Sequence, residues 1–249
     1  MILALGLAGC GGDDDSASST DASSQPDLVV SAAASLTEAL TACSADFDGA
    51  TVRLSFAGSD ELAAQIRQGV KPDVYAAANT KLPEELAAEG LVEEPEVFVT
   101  NALVLAVPAD SDIASVEDLT EPGVTIAMGS ETVPIGSYTR DVLSRLGDEQ
   151  SDAILANVRS NEPDVKGIVG KLTQGAVDAG FVYRTDVEAT GGDLKAIELP
   201  EELQPAVAYG VAVVDGAEQP ELAREYIAGL TDGPCADALA EAGFGPPPQ

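Results

Sequence analysis

Four short segments place a small polar residue or an unpaired amide where a helix is expected to begin. The first is Ala32-Ala33-Ala34-Ser35-Leu36-Thr37-Glu38. Ser35 with Glu38 three residues later fits a capping box, so taken alone this segment reads as a helix cap. The second is Phe56-Ala57-Gly58-Ser59-Asp60-Glu61-Leu62, again a cap and again a potential anion site. In the third, Thr132-Val133-Pro134-Ile135-Gly136-Ser137-Tyr138, Pro134 suits the first helical turn and Ile135 has only its backbone N–H to offer. In the fourth, Pro163-Asp164-Val165-Lys166-Gly167, Asp164 is the expected cap and the Val165 amide points outward. Hydroxyls and amides at helix N-termini bind anions through hydrogen bonds and partial positive charge. Each segment is weak alone; four in one chain make an anion site a hypothesis.

Composition narrows the alternatives. The chain has 249 residues, 12 Lys and Arg against 43 Asp and Glu, no His and no Trp, for a net charge of −31. Without His, the commonest general base and metal ligand are gone. A serine nucleophile at Ser35 or Ser59 would need a lysine such as Lys166 or Lys171 as its base, and no Gly-x-Ser-x-Gly elbow is present. An enzyme is therefore not expected, nor is a cofactor. Nucleic acid is excluded as a partner, because phosphate neutralisation needs clustered cations. An aromatic content of 4% argues against a pocket for an organic solute. A hydrophobic fraction of 45% is that of a folded globular chain.

The elements that must position these segments alternate. Strands are expected at 28–32, 52–56 and 74–77, with a helical pattern from Leu36 through Phe47 and helices at 61–68 and 83–89. The pattern restarts with strands at 124–128, 179–183 and 194–199 and helices at 137–146 and 165–174. Helices at 220–230 and 234–242 close the chain. Such alternation predicts α/β layers with parallel sheets covered by helices. Two long apolar runs, 97–107 and 206–214, read as paired crossings between lobes. The expected division is 27–105 plus 207–249 for one lobe and 106–206 for the other, with a ligand cleft between.

The chain's beginning reads differently. Met1 to Gly9 (MILALGLAG) is a short apolar run, and Leu7-Ala8-Gly9-Cys10 resembles the bacterial lipobox. This predicts lipidation at Cys10 and an extracytoplasmic protein anchored to the outer face of the cytoplasmic membrane. No basic residue precedes the run, so the signal is expected to start upstream of Met1. Residues 11–27 (GGDDDSASSTDASSQPD) read as a disordered tether. If Cys10 carries lipid, Cys43 and Cys235 remain as an even pair: either a disulfide or two buried thiols.

The motifs together resemble the molybdate-binding protein (ModA) family, the substrate-binding components of molybdate ABC importers. The resemblance rests on Val30-Ser31-Ala32-Ala33-Ala34-Ser35-Leu36, Phe56-Ala57-Gly58-Ser59, Val133-Pro134-Ile135-Gly136-Ser137-Tyr138, Asp164-Val165-Lys166 and Ala179-Gly180-Phe181-Val182-Tyr183. Pro72-Asp73-Val74-Tyr75-Ala76-Ala77-Ala78 and Tyr209-Gly210-Val211-Ala212-Val213-Val214 add to it. It implies a bilobed periplasmic-binding-protein fold of type II, with parallel or mixed sheets. It further implies an oxyanion, molybdate or tungstate, held by Ser35, Ser59, Ile135, Val165 and Tyr183. Ser35 and Ser59 match the family's two serines, Ile135 and Val165 would act through amides, and Tyr183 matches the tyrosine whose phenol completes the shell. The implied partner is an ABC permease in the membrane, met by a monomeric, lipid-anchored binder. Another oxyanion such as sulfate or phosphate, or a small organic solute, is the alternative cargo.

A tetrahedral dianion only accepts hydrogen bonds, so a shell of donors suits it without a Lys or Arg. Physiological salt screens the distant acids beyond about 8 Å. Sulfate, with shorter bonds, would leave donors spaced for molybdate under-satisfied. An anion bridging two lobes binds their closed arrangement better and shifts the population toward it.

Overall fold

The computed structural model describes residues 25–248; Cys10, most of the expected tether and the last residue lie outside the described residues. Two five-stranded sheets form the two lobes. The chain begins β1 (Asp27–Ala33), α1 (Thr37–Ser44), β2 (Thr51–Ala57), α2 (Ser59–Arg67), β3 (Val74–Ala77), α3 (Lys81–Ala88) and β4 (Glu96–Asn101). It then crosses and continues as β5 (Leu103–Pro108), β6 (Ile126–Gly129), α4 (Pro134–Leu146), α5 (Asp148–Ala156), β7 (Val158–Glu162) and α6 (Val165–Thr173). The second sheet is completed by β8 (Ala179–Tyr183), α7 (Arg184–Glu188) and β9 (Leu194–Glu198). The return comprises β10 (Val207–Val213), α8 (Pro220–Thr231) and α9 (Pro234–Glu241).

The first sheet runs β2-β1-β3-β10-β4 and the second β7-β6-β8-β5-β9. In each, four strands run one way and a single strand runs against them: β10 against β3 and β4, and β5 against β8 and β9. The sheets are therefore mixed, since each crossing strand enters its sheet from the opposite end. β3 and β8, covered on both faces, are buried throughout, as central strands of parallel sheets are.

The run at 97–107 is two strands in two sheets, split at Ala102, whose N–H is bound by its neighbour Asn101 Oδ1 at 2.8 Å. The change of sheet thus falls ahead of the expected boundary at 105, because Leu103 already pairs with Tyr183. On the return, β10 rejoins the first sheet at Val207.

Cys43 on α1 and Cys235 on α9 form a disulfide that ties together elements 192 residues apart in the chain. Both helices belong to the first lobe, so the link staples that lobe and leaves the other unconstrained. No helix among the described residues is long and apolar enough to cross a membrane.

Candidate oxyanion-binding site

Ser35 follows β1, Ser59 follows β2, and Ile135 and Val165 follow β6 and β7; Tyr183 ends β8. All five lie at the carboxyl ends of parallel strands, where ligands of open α/β sheets bind. The structure brings all five to one cavity of about 200 Å³ between the lobes, lined also by Ala33, Ala78 and Asp164. That space includes the open mouth of the cleft; the enclosed part admits the centre of a water-sized molecule over about 10 Å³, room for one small group.

The helix starts explain the donors. In α4, Pro134 occupies the first position and Ser137 N–H is bound to the Val133 carbonyl at 3.0 Å. The preceding amides of Ile135 and Gly136 have no carbonyl within the helix to meet. The start of α4 presses onto the end of β6 so closely that a Cβ at Gly136 would sit 1.8 Å from the Ser130 carbonyl oxygen. Only glycine permits this approach. In α2, Leu62 N–H bonds the Gly58 carbonyl at 3.0 Å, leaving the Ser59 amide ahead of the helical ladder. Asp164 caps α6 as expected, accepting from Gly167 N–H at 2.9 Å, and Val165 is the first helical residue behind it.

Two expectations about caps are overturned. Ser35 and Glu38 do not form a capping box. Ser35 Oγ pairs with the Tyr209 hydroxyl at 2.9 Å, while Glu38 reaches across the cleft to Lys166 Nζ at 2.8 and 2.9 Å. Ser59 does not cap α2 either: its Oγ accepts from Ala78 N–H at 3.0 Å. In both cases a long-range partner takes the hydroxyl, because neither serine is the cap: Leu36 stands at the cap position of α1 and Gly58 at that of α2.

Tyr183 is the reverse case. It is 1% exposed and its hydroxyl has no hydrogen-bond partner among the described residues. A buried polar atom left without a partner costs about 1–3 kcal/mol, so this hydroxyl is the strongest sign of a ligand in the cavity. Burial pushes the Tyr183 and Tyr209 phenols well above their ordinary values, so both stay protonated donors. Their rings meet edge to face across the lobes at 5.7 Å.

Lys166 stands beside Val165 but is already spoken for. Its ammonium bonds Glu38 of the first lobe and lies 3.2 Å from Asp186 Oδ1 of its own lobe, at ion-pair distance without a well-directed hydrogen bond. Burial pulls Lys166 down, and Asp186 and Glu38 more than offset it, leaving its value raised. Burial also raises the Asp186 carboxyl to about 6, against the opposing pull of Lys166. The cavity is thus served by hydroxyls and amides. Asp60, half-buried at the mouth, accepts from Thr132 Oγ1 at 2.5 Å across the cleft, and Glu61 is exposed; neither lines the cavity. At Gly58 the lobes nearly touch: a Cβ there would lie 2.4 Å from the Pro163 carbonyl oxygen. These contacts hold the lobes closed around the cavity.

Sequence reasoning missed Tyr209, Asn101 and the Glu38–Lys166 pair. The only signal for Tyr209 was its place in a family-like stretch; its partner Ser35 is 174 residues away.

Two α/β lobes joined by crossing strands and closed on a small donor-lined cavity define the class of extracytoplasmic solute-binding proteins. A family described as bacterial extracellular solute-binding proteins matches residues 28–245. The molybdate-binding protein ModA of Mycobacterium tuberculosis is 34% identical over 254 residues, covering 99% of this chain and 95% of that one. The chain belongs to the molybdate-binding protein (ModA) family of bacterial extracellular solute-binding proteins. Among solved structures, the substrate-binding domain of a putative molybdenum ABC transporter from Clostridium difficile is 28% identical. It has a TM-score of 0.67 and covers 88% of this chain and 98% of its own. The periplasmic molybdate-binding protein of Azotobacter vinelandii shares the fold, with a TM-score of 0.79, 19% identity, and coverage of 89% and 100%.

Proposed function

We propose that this protein binds molybdate or tungstate outside the cytoplasmic membrane and hands it to an ABC permease. The observation that carries the reading is the buried, unpartnered Tyr183 hydroxyl in a cavity shared with Ser35, Ser59 and the helix starts at Ile135 and Val165. The cargo bridges the lobes: Ser35 and Ser59 donate from one side, the Ile135 and Val165 amides and Tyr183 from the other. A permease then reads closure. Cys10 carries the lipid anchor, and the binder works as a monomer. The ligand set has no base or nucleophile pair, so capture and release, with no bond made or broken, is the chemistry it supports.

Thermal unfolding in the presence of millimolar molybdate, tungstate, sulfate or phosphate tests this. With a Kd of about 1 μM, 1 mM ligand adds roughly 4 kcal/mol of stability, a rise of roughly 8–16 °C for a domain of this size. The expected result is a shift with molybdate and tungstate but not with sulfate. No shift with any oxyanion refutes the reading.

A further inference from the structure

Ser35 faces the cavity, yet its hydroxyl already shares a hydrogen bond with Tyr209 in which either oxygen can be the donor. If Ser35 donated to Tyr209, it would turn a lone pair toward an anion. The direction of this bond therefore decides whether Ser35 attracts or repels the cargo, and the neighbours of Tyr209 set that direction. Asn101 is next to it at the crossing between lobes. Its Oδ1 accepts from Ala102 N–H at 2.8 Å, which fixes the orientation of the amide. Its Nδ2 then has only protons to offer, and it donates to Thr185 Oγ1 at 3.0 Å and to Tyr209 Oη at 3.4 Å. With its oxygen accepting from Asn101, Tyr209 directs its own proton to Ser35 Oγ.

We infer that Tyr209 is a positioning residue: a relay from Asn101 through Tyr209 fixes Ser35 as a hydrogen-bond donor toward the bound oxyanion. The relay gives Ser35 the same polarity that Ala78 N–H gives Ser59 directly. One serine is polarised by a backbone amide in its own sheet, the other by a side-chain chain that starts at the hinge. Hydrogen bonds in series also strengthen one another, so the Ser35 proton becomes a better donor. Tyr209 is fully buried, and its ring is fixed edge to face against Phe98, Tyr183 and Phe244. Replacing it with Phe removes the hydroxyl and keeps that packing.

The inference rests on the oxyanion-binding reading, and a double-mutant cycle separates the two. Molybdate is titrated calorimetrically into the wild type, Tyr209→Phe, Ser35→Ala and the double variant. Tyr209→Phe is expected to weaken binding roughly 3- to 10-fold, the worth of one net hydrogen bond. In the Ser35→Ala background the same change is expected to cost no more than about twofold, the scatter of independent sites. Equal losses in both backgrounds, or no loss where Ser35 is present, overturn the relay while leaving molybdate binding intact. A wild type that does not bind molybdate refutes the functional reading and the relay with it. Asn101→Asp is an independent arm. A carboxylate at 101 accepts the Tyr209 proton and forces Ser35 to donate away from the cavity. Its loss is expected to exceed that of Tyr209→Phe, and to shrink in the Ser35→Ala background, where only the added charge remains. An undiminished loss there contradicts the relay.

Discussion

On the first-lobe wall of the cavity, Ser35 and Ser59 each have a protein partner, Tyr209 and the Ala78 amide. On the second-lobe wall, the Tyr183 hydroxyl has none, and Ile135 and Val165 present helix-start amides. On the first wall each serine oxygen already accepts from the protein, so only its proton awaits cargo. The second carries an unpaid desolvation cost that a bound acceptor would remove. On the proposed reading, the first lobe, stapled by Cys43–Cys235, offers a preset half-site, and the second lobe gains most when the cleft closes on an anion.

This difference makes the two walls respond in different ways to substitution. Ser59→Ala carries the largest effect. It removes a hydrogen bond to a charged ligand, worth about 1.5–3 kcal/mol, or roughly 10- to 150-fold in molybdate affinity. It also strips the buried Ala78 N–H of its acceptor, so the ligand-free protein is expected to lose stability too. Denaturant unfolding beside a molybdate titration reads both losses, and a variant that binds like wild type would break the comparison.

Ile135→Val sharpens it from the other side. The side chain is 1% exposed in the core, so the truncation costs about 0.5–1.5 kcal/mol of stability. The donor is the backbone amide, which survives, and affinity is expected to stay within about twofold of wild type. A tenfold loss of affinity would show that the side chain, rather than the amide, is read.

The smallest effect concerns pH. Asp186 holds Lys166 and accepts from Tyr183 N–H at 3.3 Å. Its carboxyl is raised from 3.8 to about 6 in the folded protein, so the fold binds this proton more tightly than the unfolded chain does. The stability it contributes is full below about pH 3.8 and is lost as pH rises through about 6. Asp186→Asn removes this dependence. The stability difference, wild type minus variant, is therefore expected to fall between pH 4 and 6.5 in equilibrium denaturation. A difference that is flat or rising across that window contradicts the assignment.

Much of this was legible in the sequence, for physical reasons that differ between elements. β1, β3, β8 and β10 were found because buried strands are continuous apolar runs. β7 (Val-Arg-Ser-Asn-Glu) was not, because Val158 is its one apolar residue, whereas the edge strand β2 still alternates Val52, Leu54 and Phe56. Nor was α5, where Ile154 is the only buried residue and leaves no helical stripe to see. α7 is five residues long, too short to show a period. The five cavity residues were legible because each sits in a local strand-to-helix motif that the family shares. What holds the serines was not, since Ser35 meets Tyr209 across the whole fold and local reading offered only a cap.

The most direct test of the two-walled site is Tyr183→Phe, measured by molybdate titration and by unfolding of the ligand-free protein. Removing a hydroxyl that pairs only with cargo is expected to weaken molybdate binding by about 1.5–3 kcal/mol. The ligand-free protein should be as stable as wild type or more so, since a buried unpaired group is gone. Affinity and stability moving in opposite directions is the predicted result. Unchanged affinity, or a ligand-free protein that loses stability in step with binding, would mean that Tyr183 is an ordinary core residue and that the second wall does not hold the anion as described.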